Sequence, residues 1–178
     1  MKATGIVRRI DDLGRIVIPK EIRRTMRIRE GDPLEIYTDN GGEVIFKKYS
    51  PIGEMGTAAN QLADVIHKQS GQPVVILDRD HCVAAAGISK KEVLERRVSQ
   101  QCEDIMESRA KYTSSDGGSV VPLEGVNMRA QIISTVISSG DVSGAVVMLE
   151  GDKHAADRSD EKMCCAAAAF LGLQMEDK

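Results

Sequence analysis

Seven arginines stand among the first 29 residues, at positions 8, 9, 15, 23, 24, 27 and 29, beside two lysines and only three acidic side chains. A planar guanidinium forks onto two phosphate oxygens, or onto the O6 and N7 of a guanine, so a field richer in arginine than in lysine points to a polyanion of defined shape. A merely solvated charged face would carry more lysine, with acids interleaved. The surplus is local. Residues 1–50 hold eleven Lys and Arg against eight Asp and Glu, a net +3, whereas residues 51–178 hold thirteen against nineteen, a net −6. The formal charge of −3 for the whole chain conceals that division.

Other chemistry is poorly supplied. The histidines at 67, 81 and 154 are too scattered for a triad or a zinc site, and there is no GxGxxG, no GxxxxGK[ST] and no HExxH. The four cysteines, Cys82, Cys102, Cys164 and Cys165, form neither a CxxC pair nor a metal-ligand spacing and read as reduced apolar thiols in cores. Two Phe, three Tyr and no Trp cannot build a stacking platform for RNA or single strands, which a reader of double-stranded DNA does not need. No catalytic residue, metal or cofactor is therefore expected. Double-stranded DNA is the expected partner.

Short elements must position these arginines. Ile6–Ile10 and Arg15–Ile18 read as strands around the turn Asp11-Asp12-Leu13-Gly14. Pro19 suits a first helical position, so a brief helix is expected to about Arg27. At 100° per residue, Ile22 and Met26 share one side of it while Arg23, Arg24 and Arg27 cluster on the other. That geometry makes Arg23 and Arg24 DNA-facing candidates. Strand alternation does not choose between Arg8 and Arg9, and it puts Arg8 on the face of Ile6 and Ile10. Asn40-Gly41 then predicts a hairpin between Leu34–Thr38 and Val44–Phe46. About 50 residues without a cysteine do not close a core alone, so an obligate dimer through residues 1–50 is expected. A two-fold dimer also presents two arginine patches to two half-sites.

The boundary is expected near Pro51, with domains at 1–52 and 53–178. Gly53–Gly71 reads as a linker helix carrying Met55, Ala59, Leu62, Val65 and Ile66. Strands at Pro73–Leu77 and Cys82–Ala86, a helix over Lys90–Lys111 and a loop at Tyr112–Ser119 follow. Further strands are expected near Val120–Pro122, Ala130–Ile137 and Val142–Leu149, then a last helix capped by Ser159. The fold class is α+β, an antiparallel sheet flanked by helices behind a β-rich N-terminal domain. The stripes Met55, Leu62, Val65, Ile66 and Met163, Ala167, Phe170, Leu171 suggest that part of the second domain packs against another subunit, giving a tetramer. The longest apolar run, Met163–Leu171, is far short of the roughly 20 residues that cross a bilayer. With no apolar stretch at the N-terminus, a cytoplasmic protein without a membrane partner is expected.

The run MKATGIVRRIDDLGRIVIPKEIRR, residues 1–24, closely resembles the AbrB-like swapped-hairpin DNA-binding domain of bacterial transition-state regulators. Residues 56–178 resemble a GAF-type sensor domain, and the whole chain is similar to sporulation regulators of endospore-forming bacteria. The resemblance implies that two chains exchange hairpins into one β-barrel, with Arg8, Arg15, Arg23 and Arg24 on the duplex and Arg9 and Arg27 as second-rank phosphate contacts. It implies a nucleoid-associated transcription regulator, sequence-tolerant because its arginines have few Asn or Gln neighbours, that activates some sporulation genes and represses others. A GAF-type domain further implies an unidentified small-molecule ligand, against which stands a second domain that only oligomerises. Two other readings compete: a swapped-hairpin antitoxin, and a thiol-dependent methionine sulfoxide reductase using Cys82 and Cys102.

Overall fold

The computed structural model describes residues 4–152 and 154–176, and the chain divides into two units between Tyr49 and Ser50. In the first, α1 spans Lys20–Thr25, with Glu21 in its first turn and Arg23 and Arg24 in its last, each on the side the helix dipole favours. Arg27 ends it. Its φ of 51° is left-handed, and the Ile28 N–H donates to the Arg23 carbonyl at 2.8 Å while the Arg27 N–H donates to that of Arg24 at 3.3 Å. This is the helix-closing turn that usually carries glycine. An antiparallel hairpin follows, β1 (Leu34–Thr38) and β2 (Val44–Lys48), with Leu34 opposite Lys48 and Thr38 opposite Val44. Asp39 ties its turn, accepting from the backbone N–H of Gly41 at 3.1 Å and of Glu43 at 2.8 Å.

Ile6–Ile10 and Arg15–Ile18 do not form the expected strands. Around the turn, the Asp11 N–H donates to the Arg15 carbonyl and the Gly14 N–H to that of Asp11, both at 3.0 Å, and no ladder extends from there among the described residues. A strand exists only against a partner strand, and β1 and β2 pair with each other. Between residues 4 and 49 only Pro19 is buried.

The second unit is built on a five-stranded sheet in the order β4-β3-β7-β6-β5, every neighbouring pair antiparallel. Its strands are β3 (Val74–Asp78), β4 (Cys82–Ala86), β5 (Tyr112–Thr113), β6 (Ala130–Ser138) and β7 (Asp141–Leu149). Four helices flanking it are α2 (Pro51–Glu54), α3 (Gly56–Ser70), α4 (Lys90–Val93) and α5 (Gln100–Glu107), and α6 (Arg158–Glu176) is the last. Both sheet faces are covered. Val74, Ile76, Ile132, Val146 and Met148 pack with Ile52, Ile66 and Leu171 from α2, α3 and α6. Val75, Leu77, Ile133, Val147 and Leu149 pack on the other side with Val93, Val98, Cys102, Met106 and Leu123. Burial on both faces is why β3 reads as an unbroken apolar run.

Five expectations for this unit fail. The single helix over Gly53–Gly71 is two, α2 and α3, broken at Met55, and the expected loop Tyr112–Ser119 holds β5, whose Tyr112 and Thr113 pair with Ile133 and Ile132 of β6, and a 3-10 turn at Ser114–Asp116. The helix over Lys90–Lys111 is split, because residues 94–99 turn back onto Cys82, the first residue of β4, and onto the turn before it. The Cys82 N–H donates to the Arg96 carbonyl at 2.9 Å, that of Glu95 to Cys82 at 3.0 Å and that of Val98 to Asp80 at 2.8 Å. Covering the start of the edge strand β4 outweighs continuing a helix there. Val120–Pro122 forms no strand. It is a loop in which the Pro122 carbonyl accepts from Ser99 and that of Val120 from Ala130. Finally, Ser159 lies inside α6, and Asp157 is the cap, accepting from the N–H of Ser159 at 2.7 Å and of Asp160 at 3.0 Å.

Gly172 marks where α6 lies closest to the sheet, since a Cβ there would collide with the Ile137 carbonyl oxygen. Gly→Ala inside a helix ordinarily stabilises by about 1 kcal/mol. Here Gly172→Ala is expected to destabilise by about 1–3 kcal/mol, because α6 must lift off β6. A urea midpoint that rises in the variant would contradict this packing.

Candidate nucleic-acid interface

The turn before α1 fixes one arginine firmly. The Asp11 Oδ2 accepts from the Nε of Arg15 at 2.8 Å, and its Oδ1 accepts from the backbone N–H of Arg15 at 2.7 Å and of Leu13 at 3.1 Å. Gly14, with φ 76°, supplies the left-handed residue that lets the turn close. The Arg15 backbone N–H, then its guanidinium, hold the Asp11 carboxyl below 3.8, so it is charged across the neutral range. The Arg15 side chain nonetheless remains 68% exposed.

Arg23 and Arg24 share the last turn of α1, both exposed, and their side chains have no hydrogen-bond or ion-pair partner among the described residues. The same holds for Arg8 and Arg9, on the segment entering the turn. Arg8 is no core residue in this chain, since Ile6 and Ile10 beside it are themselves 40% and 66% exposed. Arg27 differs. It is half-buried, its backbone closes the helix, and its carbonyl accepts from the Lys48 Nζ at 2.9 Å. Lys48 also lies 3.5 Å from the Asp32 carboxylate, which accepts from the Arg29 N–H at 2.8 Å. The end of α1 is thus tied to β2. The reading of the sequence missed Asp11 and Lys48 as positioning groups, taking the first only as a turn residue. The four-residue spacing from Asp11 to Arg15 across a glycine turn was the available signal.

Beside the arginines lies an unfinished surface. Twelve large apolar side chains of the first unit are exposed, among them Val7 at 86%, Leu13 and Val17 at 70%, Ile36 at 60% and Phe46 at 40%. No domain of this size normally leaves such a share of its apolar side chains in water.

In the second unit Cys82 and Cys102 are buried and unactivated. Burial pushes Cys82 and Cys102 up to about 12, the opposite of an activated nucleophile, and no cluster of His, Cys, Asp and Glu able to hold a metal exists among the described residues. His154 has an acceptor beside each ring nitrogen. Its Nδ1 faces the Ala155 carbonyl at 2.8 Å and its Nε2 that of Ser70 at 3.2 Å, with the Asp160 carboxylate 3.8 Å from Nδ1. Two acceptors, one on each ring nitrogen, are both satisfied only by the imidazolium. The Ala155 carbonyl, then that of Ser70, raise its pKa above 6.5, aided by the charges of Asp160 and Asp157 and opposed by desolvation. A pKa raised on folding stabilises most below 6.5, and the gain fades as pH rises through the folded value. The stability difference between the parent chain and His154→Gln is therefore expected to be largest near about pH 5.5 and to shrink by about pH 8.5 in parallel urea melts. A difference that does not change with pH would contradict the imidazolium.

Residues 54–176 match the family described as stage V sporulation protein T C-terminal, transcription factor, and residues 7–53 match that described as antidote-toxin recognition MazE, bacterial antitoxin. Stage V sporulation protein T of Bacillus subtilis (strain 168) is 49% identical over 178 residues, 99% of each chain. Transition state regulatory protein AbrB of the same organism is 61% identical over 51 residues, 29% of this chain and 52% of that one. The GAF domain of a phosphoenolpyruvate-protein phosphotransferase from Coxiella burnetii superposes with a TM-score of 0.56 at 12% identity, covering 69% of this chain and 83% of that domain, which shows a GAF fold. These similarities and the α+β architecture define a transcription regulator, with an AbrB-like N-terminal unit and a GAF-like second unit, and not an enzyme. The chain belongs to the stage V sporulation protein T family. The antitoxin similarity ends at residue 53, and a folded unit follows it.

Proposed function

We propose that residues 1–52 bind double-stranded DNA as a dimer. Arg8, Arg15, Arg23 and Arg24 reach the duplex, and Arg9 and Arg27 add phosphate contacts. The observation that carries this is a unit whose apolar side chains stand exposed next to Arg8, Arg9, Arg23 and Arg24, whose side chains have no partner among the described residues. Exchange of Ile6–Ile18 hairpins between two chains supplies the missing strand partners, buries those apolar side chains and sets two arginine patches across a two-fold axis. Guanidinium contacts to phosphate give salt-dependent, sequence-tolerant affinity, and duplex shape supplies further selectivity. Such a protein works in the cytoplasm on the nucleoid. No described helix is long and apolar enough to cross a membrane.

A fragment of residues 1–53 tests the dimer. Its thermal midpoint is expected to rise with concentration, because dissociation accompanies unfolding. A midpoint constant over a hundredfold dilution, with monomer mass in sedimentation, would falsify it.

The second unit joins dimers into a tetramer. Ala166, Ala169, Phe170 and Leu173 form an exposed stripe on α6, with Phe170 48% and Leu173 61% accessible, and Val65 on α3 is 55% accessible. Ile66, Ala167 and Leu171 of the same helices, and Met55 just before α3, are buried in the unit itself. A sensing role has separate support. A depression of about 330 Å³ is lined by Tyr112, Arg129, Gln131, Glu150, Asp152 and His154, and the buried Gln131 Oε1 has no hydrogen-bond partner among the described residues. A small polar molecule bound there would raise the thermal midpoint of the full chain but not of Gln131→Leu.

A further inference from the structure

We propose that Asp11 is a positioning residue for base recognition: its carboxylate grips the Nε of Arg15 and so aims the free Nη fork of that guanidinium at the O6 and N7 of a guanine. This rests on the DNA reading above and goes beyond its sequence-tolerant character.

Asp11 is the wrong charge for a surface that only neutralises phosphate, since a carboxylate next to an arginine subtracts from the field the duplex feels. Its geometry gives the compensating role. One oxygen takes the Arg15 and Leu13 backbone N–H groups, at 2.7 and 3.1 Å, while the other takes Nε at 2.8 Å. The reciprocal bond from the Asp11 N–H to the Arg15 carbonyl, at 3.0 Å, and the Gly14 N–H to the Asp11 carbonyl close the loop. Backbone and side chain of Arg15 are thus both referenced to one residue. Of the five guanidinium N–H groups only that on Nε is engaged, so four remain on the Nη pair. The side chain stays 68% exposed, so the fork faces outward instead of folding back on the turn. Arg23 and Arg24, by contrast, have no internal partner and keep their rotamer freedom, which suits phosphate. Reading two acceptors on a base edge needs fixed orientation; neutralising a phosphate does not. Arg15 is the arginine built for the first task.

The test uses the full chain and a duplex selected by it from a random pool, together with copies in which each guanine in turn is 7-deazaguanine, which lacks N7. The parent chain is expected to lose about tenfold affinity at one guanine per half-site. Arg15→Ala should lose that sensitivity at the same position. Asp11→Asn keeps the acceptor for the turn but removes the charge, and it should cut the 7-deaza effect to less than about twofold while binding a mixed-sequence duplex at least as well as the parent. Asp11→Glu keeps the charge but displaces the carboxylate by one methylene, and it should lose discrimination likewise, separating position from charge. Thermal midpoints of the variants near that of the parent confirm an intact turn. Retained 7-deaza sensitivity in Asp11→Asn and Asp11→Glu overturns the positioning role, and absence of any guanine whose effect depends on Arg15 overturns the base contact. A parent chain that binds no duplex at all overturns the DNA reading instead.

Discussion

Replacing Arg23 and Arg24 together with alanine is expected to lower the slope of log affinity against log salt by about two for each protomer on the duplex, about four for a dimer, leaving the fold intact. Each arginine that neutralises a phosphate releases counterions and contributes about 0.9 to that slope, so at about 0.1 M salt the double variant should lose some 50- to 100-fold in affinity for each half-site, about 10³-fold or more for a dimer. The magnitude is large because neither side chain gives up an internal partner when it meets DNA. The fold should persist for the same reason, and alanine is the strongest helix former, though the last turn of α1 loses two charges that suit its dipole. The thermal midpoint should thus move little, as for other exposed substitutions, within about 0.5 kcal/mol. Fluorescence anisotropy over a range of salt concentrations measures the slope. An unchanged slope in the double variant means that α1 does not touch the duplex. Arg27→Ala should behave differently, since that residue is half-buried and closes α1 in a left-handed conformation, so stability and binding would change together.

The contrast among these arginines shows what the sequence could and could not disclose. The β1–β2 hairpin is legible because both of its strands and its Asn40-Gly41 turn lie within a dozen or so consecutive residues. The final helix and the sheet strands β3, β4, β6 and β7 are legible too, from long apolar runs between turn residues. The arginine side of α1 follows from helical spacing alone. What failed depended on hydrogen-bond partners that local patterning does not choose. Ile6–Ile18 has the composition of two strands, yet strand status requires a neighbour that this chain does not offer it. Lys90–Lys111 has a helical stripe, but residues 94–99 of it turn back onto the start of β4, and no local pattern announces that contact. Ser159 and Asp157 are both good capping types, and only the hydrogen bonds decide for Asp157. Asp11 was visible as a turn residue, whereas its grip on Arg15 depends on where the turn sends the side chain.

Assembly carries a second large effect. If residues 1–50 pair chains one way and the α6 stripe of the second unit pairs them another way, the product is a tetramer with two DNA-binding heads. The second head then binds a duplex already held by the first, at an effective concentration that linkers of this kind put near millimolar, and overall affinity rises by about 10² or more without a new DNA contact. Disrupting the stripe should remove that gain and nothing else. Phe170→Asp with Leu173→Lys places charges where the two most exposed apolar side chains of α6 stand, at little cost to the unit's own core, since both already face solvent. The parent chain is expected to scatter light as a tetramer and to bind a long duplex at least a hundredfold more tightly than one too short for both heads, whereas the variant scatters as a dimer and binds both alike. Titrating both proteins on both duplexes gives the ratio directly. A parent chain that is already dimeric, or one with equal affinity for the long and short duplexes, sinks the two-headed arrangement.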